Sequence, residues 1–318
     1  MPALAIIIPT YNRKKILLKN LKSIEKQQKI NFRDFEVIIV DDGSTDQTYE
    51  YLKDNKFSFD FRIYKKTNEG QGIARNFALE KTKADIIAFI GDDIILDSNF
   101  IFEHLSTHKK YPKENHAVLG FMDWHKDVKK TEFIKWLTNG SNILGKFGGH
   151  QFAYEKLKNK ETADYNFFYT SNISLKRKLL EKEKFDPDFS SYGWEDIELG
   201  YRLYKKHDLT LHYNKNAIGY HLHQINEESL RDRMFMIGKS SHIIQKKHPE
   251  LKKVPGIFKR IIFFFLSNQI TILFLKLLKK IFPTIFTNLY FYALSKRYFM
   301  EGVASGSSFN YNQIKFLI

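Results

Sequence analysis

The chain has 318 residues and a formal net charge of +15; 43% of its residues are hydrophobic, including 29 Phe and 17 Tyr. This composition excludes wholesale disorder and is sufficient for one large domain or two smaller ones. The absence of cysteine excludes disulfide frameworks and thiolate metal sites and favours a reducing compartment, whereas the positive charge requires an anionic partner such as nucleic acid, acidic lipid or a nucleotide diphosphate.

Short apolar runs alternate with helical patterns in the first hundred residues, which is typical of a parallel sheet with crossover helices. The predicted strands are 4–8, 35–40, 61–64 and 86–90. Asn12 is predicted to cap the first helix, and Ser44 or Thr45 the second. The first apolar run has neither a basic leader nor a small-residue cleavage site, so we predict a buried strand there and no secretory signal.

The rest of the chain falls into an irregular stretch and an apolar, basic tail. Residues 110–225 are less regular, with a helix predicted after Trp194 and strands at 209–213 and 217–223. Beyond Pro255 there is no charge between Arg260 and Lys276, or between Lys280 and Lys296. Each run is shorter than the roughly 20 residues of a membrane-spanning helix. We therefore predict an interfacial helix pair with lysines reaching acidic headgroups; packing onto the domain or a second subunit is the alternative.

Polar motifs follow several predicted strands and open one predicted helix. They are PTYNR (9–13), DDGSTD (41–46), NEGQGIARN (68–76), GDD (91–93) and WED (194–196). In this order and spacing the set resembles the family 2 glycosyltransferases, enzymes of the GT-A fold that invert the anomeric centre. The resemblance covers about the first two-thirds of the chain, a span typical of one catalytic domain.

The resemblance implies an α/β fold of the GT-A nucleotide-diphospho-sugar transferase type, with a mainly parallel sheet, flanking helices and a C-terminal helical extension. Residues 1–225 would be the catalytic domain, with a nucleotide-binding half (1–110) and an acceptor half (111–225). Residues 226–318 would be the membrane-associated extension. The expected reaction moves a sugar from a nucleotide diphosphate, most commonly UDP, to an acceptor hydroxyl. We expect it to serve surface polysaccharide or glycolipid synthesis at the cytoplasmic face of the cell membrane, with the protein bound peripherally.

Four residues, in addition to Asp92, are expected to bind the nucleotide. Tyr11 could cover the base and Asp42 could accept hydrogen bonds from the base or ribose; the matching family positions contact the nucleoside, and Pro9 belongs to the same motif. Alternatively, Asp42 only shapes a turn. Arg75 is expected to pair with acidic residues or with the nucleotide, and a helix-face charge is the other interpretation.

The GDD motif indicates a site for Mn²⁺ or Mg²⁺, because carboxylates at a sheet edge supply the hard oxygen ligands these cations prefer. It matches the Asp-x-Asp motif of the family except that Gly91 stands where the first Asp usually is. Asp93 is the expected direct ligand, with Asp92 nearer the ribose or a bound water. His221 and His223 face the same side of a strand, and His221 is favoured as a further ligand, although a stabilising polar contact is the alternative.

The WED motif opens a predicted helix, whose N-terminal amides and dipole should hold a carboxylate ionised. By resemblance Asp196 is the catalytic base that deprotonates the acceptor hydroxyl, and Glu195 hydrogen-bonds acceptor hydroxyls beside Trp194. Asn172, in a motif that resembles the acceptor-side strand, is a further expected acceptor contact. The alternative is that acidic residues are simply favoured in a first helical turn.

Two other classes of function compete with this one. A nucleic-acid binder should show a continuous basic patch with interleaved aromatic residues, but many lysines here lie on helices or flank the apolar tail, so no nucleic-acid partner is expected. A non-catalytic membrane adaptor on a transferase fold is the second alternative, and the retained Asp93 and Asp196 argue against it.

Overall fold

The computed structural model describes residues 2–140, 149, 151–190 and 193–306. They divide into an α/β unit and a helical unit. The α/β unit comprises Met1–Val128, Tyr154–Ser190 and Glu195–His223, and the helical unit comprises Lys129–Ala153, Ser191–Trp194 and Gln224–Ile318. The first unit thus ends two residues before the predicted boundary at 225, but two internal segments, 129–153 and 191–194, belong with the C-terminal helices.

Nine strands in the described part of the chain form one sheet in the α/β unit. They are β1 (Leu4–Thr10), β2 (Phe35–Asp41), β3 (Asp60–Lys65), β4 (Ile86–Ile90), β5 (Ile94–Leu96), β6 (His116–Trp124), β7 (Thr162–Ala163), β8 (Asn172–Lys176) and β9 (Thr210–His221). Their order is β3-β2-β1-β4-β8-β6-β9-β5, with β7 also paired to β9. Strands β3, β2, β1 and β4 are parallel, whereas β8 runs antiparallel to both of its neighbours. The predicted α/β class is confirmed, with a sheet that is mixed beyond β4.

The described helices follow the strands in the α/β unit and make up most of the helical unit. They are α1 (Lys14–Ile24), α2 (Thr48–Leu52), α3 (Gln71–Leu79), α4 (Phe100–Lys110), α5 (Glu132–Asn139), α6 (Arg177–Lys182), α7 (Glu195–His207), α8 (Glu227–Lys247), α9 (Ile257–Ser267), α10 (Gln269–Ile281) and α11 (Pro283–Gly306).

The central strands are apolar and buried on both faces, as in parallel sheets covered on each side. Every residue of β1, β2 and β4 is buried. On α1, Leu17, Leu21 and Ile24 form the buried face that their spacing predicts. Burial of these strands fixes where each ends, and therefore where the polar residues after them emerge.

Strand β9 is one continuous strand where the sequence predicted two. Its pairing with β6 shifts register after Gly120, so that Gly120 lies opposite Asn214 but Phe121 lies opposite Ile218. The intervening residues include Lys215 and Asn216, which lay between the two predicted strands. They form an irregularity within β9, and the strand continues to His221.

The helical unit is built on a close crossing of α8 and α11. A Cβ atom on Gly302 would lie 2.0 Å from the carbonyl oxygen of Phe235, and one on Gly238 would lie 2.1 Å from that of Phe299. Helix α5 joins the same unit through ring contacts with Phe291, which explains why residues 129–153 belong with the C-terminal helices. The second uncharged run lies mostly in α11, where it contributes buried residues from Thr287 onward, and the first run lies in the more exposed helices α9 and α10.

Candidate active site

The carboxyl ends of β1, β2 and β4 meet at one edge of the sheet, as expected for neighbouring parallel strands. The carbonyl of Thr10 accepts the N–H of Asp42 at 2.9 Å, and its hydroxyl donates to Asp92 Oδ2 at 2.8 Å. Two of the predicted motifs are therefore in contact through the end of β1. Pro9 lies within β1, buried and opposite Val40, and its predicted nucleotide contact stays a prediction.

The loops after β1 and β2 are held together by Asn12. This residue has a φ of +55°, its N–H donates to Ser44 Oγ at 2.8 Å, and its Oδ1 accepts the Thr45 N–H at 2.7 Å. The predicted helix caps at Asn12 and at Ser44 or Thr45 are therefore wrong, because these groups bond across the two loops. Tyr11, at the tip of the first loop, is 48% exposed and has a ring surface available for stacking.

Asp42 organises the loop that follows β3. Its buried carboxylate accepts hydrogen bonds from Lys66 Nζ at 2.9 Å and from the backbone N–H groups of Glu69 and Gly70 at 3.1 and 2.8 Å. This arrangement does more than the simple turn considered as the alternative. It places the start of the NEGQGIARN motif beside the end of β2.

Arg13 is a site residue that the sequence interpretation missed. Its Nη1 donates to Asp92 Oδ1 at 3.1 Å and to Asp93 Oδ2 at 2.7 Å. This arginine lies about 80 positions before the GDD motif in the sequence, so spacing alone does not reveal the pairing. Burial lowers the pKa of Arg13, but attraction to the two carboxylates outweighs burial and raises it. Its place as the last residue of the PTYNR motif was the sequence signal that could have identified it as a site residue.

Asp93 and His221, the two predicted metal ligands, lie side by side. His221 Nε2 is 3.4 Å from Asp93 Oδ2, and Trp124 packs edge-on against the imidazole ring. Burial raises the pKa of Asp93, but His221, Arg13 and then His223 outweigh it and leave the pKa below its ordinary value. Burial, followed by repulsion from Asp93, raises the pKa of Asp92 to about 6. The two adjacent carboxylates thus differ in proton affinity.

Gly91 leaves room for the side chains that follow it in the GDD turn. A Cβ atom at this position would lie 3.0 Å from Asp93 Oδ1 and 3.2 Å from the side chain of Ile94. A side chain here would therefore require Asp93 or Ile94 to shift by a few tenths of an ångström.

Arg75 lies in the interior against a pair of phenyl rings that contact each other. It is 2% exposed, with its guanidinium 5.9 Å from the Phe89 ring centre and 5.5 Å from that of Phe185. Its Nη2 donates to Gln71 Oε1 at 3.3 Å, while Nε and Nη1 have no hydrogen-bond partner within the described residues. Burial lowers the pKa of Arg75, and the opposing attraction comes from Glu195, Asp196 and Asp92.

The attraction of Arg75 to both Asp92 and Asp196 indicates that the WED and GDD motifs share one site. Glu195 is buried, and its Oε1 accepts a hydrogen bond from Gln71 Nε2 at 2.5 Å. Burial, and then repulsion from Glu195, raises the pKa of Asp196 to about 7, despite a hydrogen bond from the Ile197 N–H at 2.8 Å. The expectation that the helix start holds Asp196 firmly ionised is therefore corrected, because burial outweighs the amides.

Asn172 has a structural role that differs from the predicted acceptor contact. It is fully buried; its Oδ1 lies 2.9 Å from His104 Nε2, and its Nδ2 donates to the carbonyls of Phe121 and Ala217 at 3.0 and 2.9 Å. These two carbonyls lie where the β6–β9 register shifts. The carboxamide thus compensates for the irregularity and is not exposed to an acceptor.

Trp194 belongs to the helical unit, whereas Glu195 and Asp196 belong to the α/β unit. It has a φ of +71°, and its indole Nε1 donates to the carbonyl of Ile237 at 3.0 Å. Lys253 Nζ lies 4.6 Å from the centre of its ring. These contacts anchor the indole on α8, and its predicted acceptor contact stays a prediction.

Residues 5–184 match the family model described as Glycosyl transferase family 2. YfnE of Bacillus subtilis (strain 168), named as an uncharacterized glycosyltransferase, is 28% identical over 271 residues, covering 72% of this chain and 67% of YfnE. The GalNAc(5)-diNAcBac-PP-undecaprenol beta-1,3-glucosyltransferase of Campylobacter jejuni is 29% identical over 248 residues, covering 73% of this chain and 76% of that protein. The chondroitin synthase of Escherichia coli is 25% identical over 269 residues; the match covers 77% of this chain but only 38% of the synthase.

Among solved structures, S. aureus TarS 1–349 in complex with UDP-GlcNAc resembles the chain with a TM-score of 0.55. The sequences are 17% identical, and the match covers 98% of this chain and 92% of the TarS chain. At this identity the likeness shows the fold, which is of the GT-A type.

Proposed function

Because the chain belongs to glycosyl transferase family 2, we propose that it transfers a sugar from a UDP-sugar to an acceptor hydroxyl with inversion. The observation that carries the proposal is the buried guanidinium of Arg75, which attracts Asp92 from one motif and Asp196 from another. Residues far apart in the chain thus share one charged site at the carboxyl edge of the sheet, where ligands of open α/β sheets bind.

Asp196 is the proposed base. It takes the proton of the acceptor hydroxyl while that oxygen bonds to the anomeric carbon, and the bond from this carbon to the diphosphate oxygen breaks. The electron pair of the broken bond leaves with the nucleoside diphosphate. A pKa of about 7 suits this role, because a general base works best when its pKa lies near the operating pH.

The donor is proposed to bind along the loops after β1 and β2. Tyr11 offers an exposed ring for the base, and Asp42, at the end of β2, holds the loop after β3 through the Gly70 N–H. Two guanidinium nitrogens of Arg75 have no hydrogen-bond partner among the described residues. They can donate hydrogen bonds to an oxygen of the sugar nucleotide, or the guanidinium can balance the charge of Asp92, Glu195 and Asp196. The S. aureus TarS complex with UDP-GlcNAc supports a UDP-sugar as the donor class.

We propose that Asp93 and His221 hold Mn²⁺ or Mg²⁺. Asp93 Oδ2 and His221 Nε2, 3.4 Å apart, are close enough to be neighbouring ligands of one cation. Among the described residues no group of three or more His, Cys, Asp or Glu is placed to hold a metal. The remaining ligands would therefore be oxygens of the sugar nucleotide and water. When bound, the cation would neutralise charge on the departing diphosphate.

The proposed acceptor is a lipid-linked or surface glycan at the cytoplasmic face of the cell membrane. The names of the Campylobacter and Escherichia relatives, an undecaprenol-linked glucosyltransferase and a chondroitin synthase, support this class. A non-catalytic membrane adaptor is the competing function.

An assay of UDP release with a panel of UDP-sugars, Mn²⁺ and glycan acceptors tests the proposal. We expect acceptor-dependent release, with a product whose anomeric configuration, read by NMR, is opposite to that of the donor. Release no greater than that of the Asp196→Asn variant with every donor would favour the adaptor. A product that keeps the configuration of the donor would overturn inversion.

A further inference from the structure

Helices α9 and α10 present large apolar side chains outward. On α9, Ile257, Phe258 and Phe265 are 80%, 76% and 62% exposed. On α10, Ile270 is 81% exposed, and Leu273 and Phe274, three and four residues further on, lie on the same helical face. Surface helices ordinarily place polar residues outward, so this face is unsuited to water.

The exposed face is additional to the one that packs on the protein. The opposite side of α10 buries Ile272 and Leu275, and both α9 and α10 contact α11 within the helical unit. The outward residues named above remain more than half exposed despite this packing. Exposed apolar surface on this scale marks a site of interaction with a membrane or another protein.

The charges around the face identify its partner. Residues 257–300 contain no Asp or Glu, whereas Lys259, Arg260, Lys276 and Lys280 lie on α9 and α10. Two copies docked through this face would bring like charges together, whereas an anionic lipid surface complements both the apolar and the basic side chains.

The lengths of the two helices favour binding in the plane of the membrane. At 1.5 Å per residue, α9 and α10 are about 16 and about 20 Å long, against a hydrocarbon core of about 30 Å. Among the described helices none meets the length and hydropathy of a membrane span alone; only α9 and α10 taken together do, and they are bent by 51°. Lysines along α10 would also be costly at the centre of the bilayer.

We propose that the outward face of α9 and α10 docks in the interfacial layer of an anionic lipid bilayer. Apolar side chains enter the acyl boundary, while Lys276 and Lys280 contact lipid phosphates. This inference goes beyond the proposed function and does not depend on it.

Sedimentation of the full chain with lipid vesicles tests the proposal. We expect the protein to bind phosphatidylcholine vesicles that contain phosphatidylglycerol, and to bind vesicles of phosphatidylcholine alone about tenfold more weakly. The double variant Phe258→Glu/Phe274→Glu should bind the anionic vesicles at least about tenfold more weakly than the wild type, because both side chains face outward. Lys276→Gln/Lys280→Gln should remove most of the preference for anionic lipid.

Matched controls separate docking from general effects of the substitutions. Tyr51→Glu/Tyr204→Glu places two acidic residues at similarly exposed positions of the α/β unit and should bind vesicles as the wild type does. Lys22→Gln/Lys26→Gln removes two exposed charges near α1 and should leave the lipid preference unchanged. Unchanged binding by the Phe258/Phe274 variant would overturn the proposal. So would a wild-type dimer, seen by light scattering, that this variant dissociates, since the face would then be a protein interface.

Discussion

Arg13 and Asp93 form an ion pair, with 2.7 Å between Nη1 and Oδ2. The same carboxylate oxygen lies 3.4 Å from His221 Nε2, so one atom faces both a guanidinium and the second predicted metal ligand. A divalent cation at Asp93 would therefore meet the positive charge of Arg13. The arginine and the cation compete for one carboxylate.

Replacing Arg13 by Gln should strengthen Mn²⁺ binding in the absence of nucleotide by about tenfold or more, because a competing positive charge is removed. Electron paramagnetic resonance of free Mn²⁺ measures this directly. Arg33→Gln, a loss of the same charge from an exposed position just before β2, should leave Mn²⁺ affinity unchanged. Equal affinities of the Arg13 variant and the wild type would contradict the competition.

Asp196→Asn should lower turnover by about a hundred- to ten-thousandfold while nucleotide affinity stays close to that of the wild type, because only proton transfer is lost. In the wild type, kcat/KM should rise as the pH rises through about 7, where Asp196 becomes ionised, and the variant should lack this limb. Asp208→Asn, an exposed change just beyond the other end of α7, is the control. Steady-state kinetics from about pH 5.5 to about pH 8.5 measure both effects. Wild-type turnover in Asp196→Asn would refute the assignment of Asp196 as the base.

Gly302→Ala should destabilise the helical unit by about 3 kcal/mol, because its methyl group would lie 2.0 Å from the Phe235 carbonyl oxygen and the two helices would have to separate. Hydrogen exchange in α8 and α11 under increasing urea measures the loss. Gly256→Ala is the matched control, since that residue has a φ of −68° and no neighbouring atom within 4 Å of the new Cβ. Similar exchange in the two variants would show that the close crossing is unimportant.

The buried imidazoles of His104 and His108 should make the α/β unit less stable in acid. Both rings bond to the hydroxyl of Ser174 at 2.8 Å, and burial lowers the pKa of His104 to about 4 and that of His108 further. The unfolded chain takes up these protons below about pH 6.5 and the folded chain does not. Stability is therefore lost as the pH falls, by about 2 kcal/mol for each ring between pH 7.5 and 5.

Urea unfolding at the two pH values checks this expectation. His108→Gln should reduce the pH dependence by about the share of one ring. Asp92 and Asp196 act in the opposite direction because their pKa values are raised in the folded state, so the comparison between variants is decisive. An identical pH dependence in the wild type and His108→Gln would contradict the role of this ring.

The fold and the meeting of the strand-end motifs could be predicted because both depend on local pattern. Continuous apolar runs identify buried parallel strands, and the carboxyl ends of such strands lie at one edge, so Asp42 and Asp92 were expected near each other. Asn172 could not be placed in the same way. Its burial depends on the register shift between β6 and β9, which no local pattern encodes.

The sequence by itself determined the α/β class, the family, and the apolar and basic character of the tail, since these follow from residue type and spacing. Only the tertiary structure decided that Arg13 pairs with Asp93, that burial raises the pKa of Asp196, and that α11 is core while α9 and α10 are exposed. The physical reason is that charge partners, desolvation and exposed faces depend on which distant segments pack together. Spacing along the chain does not specify that packing.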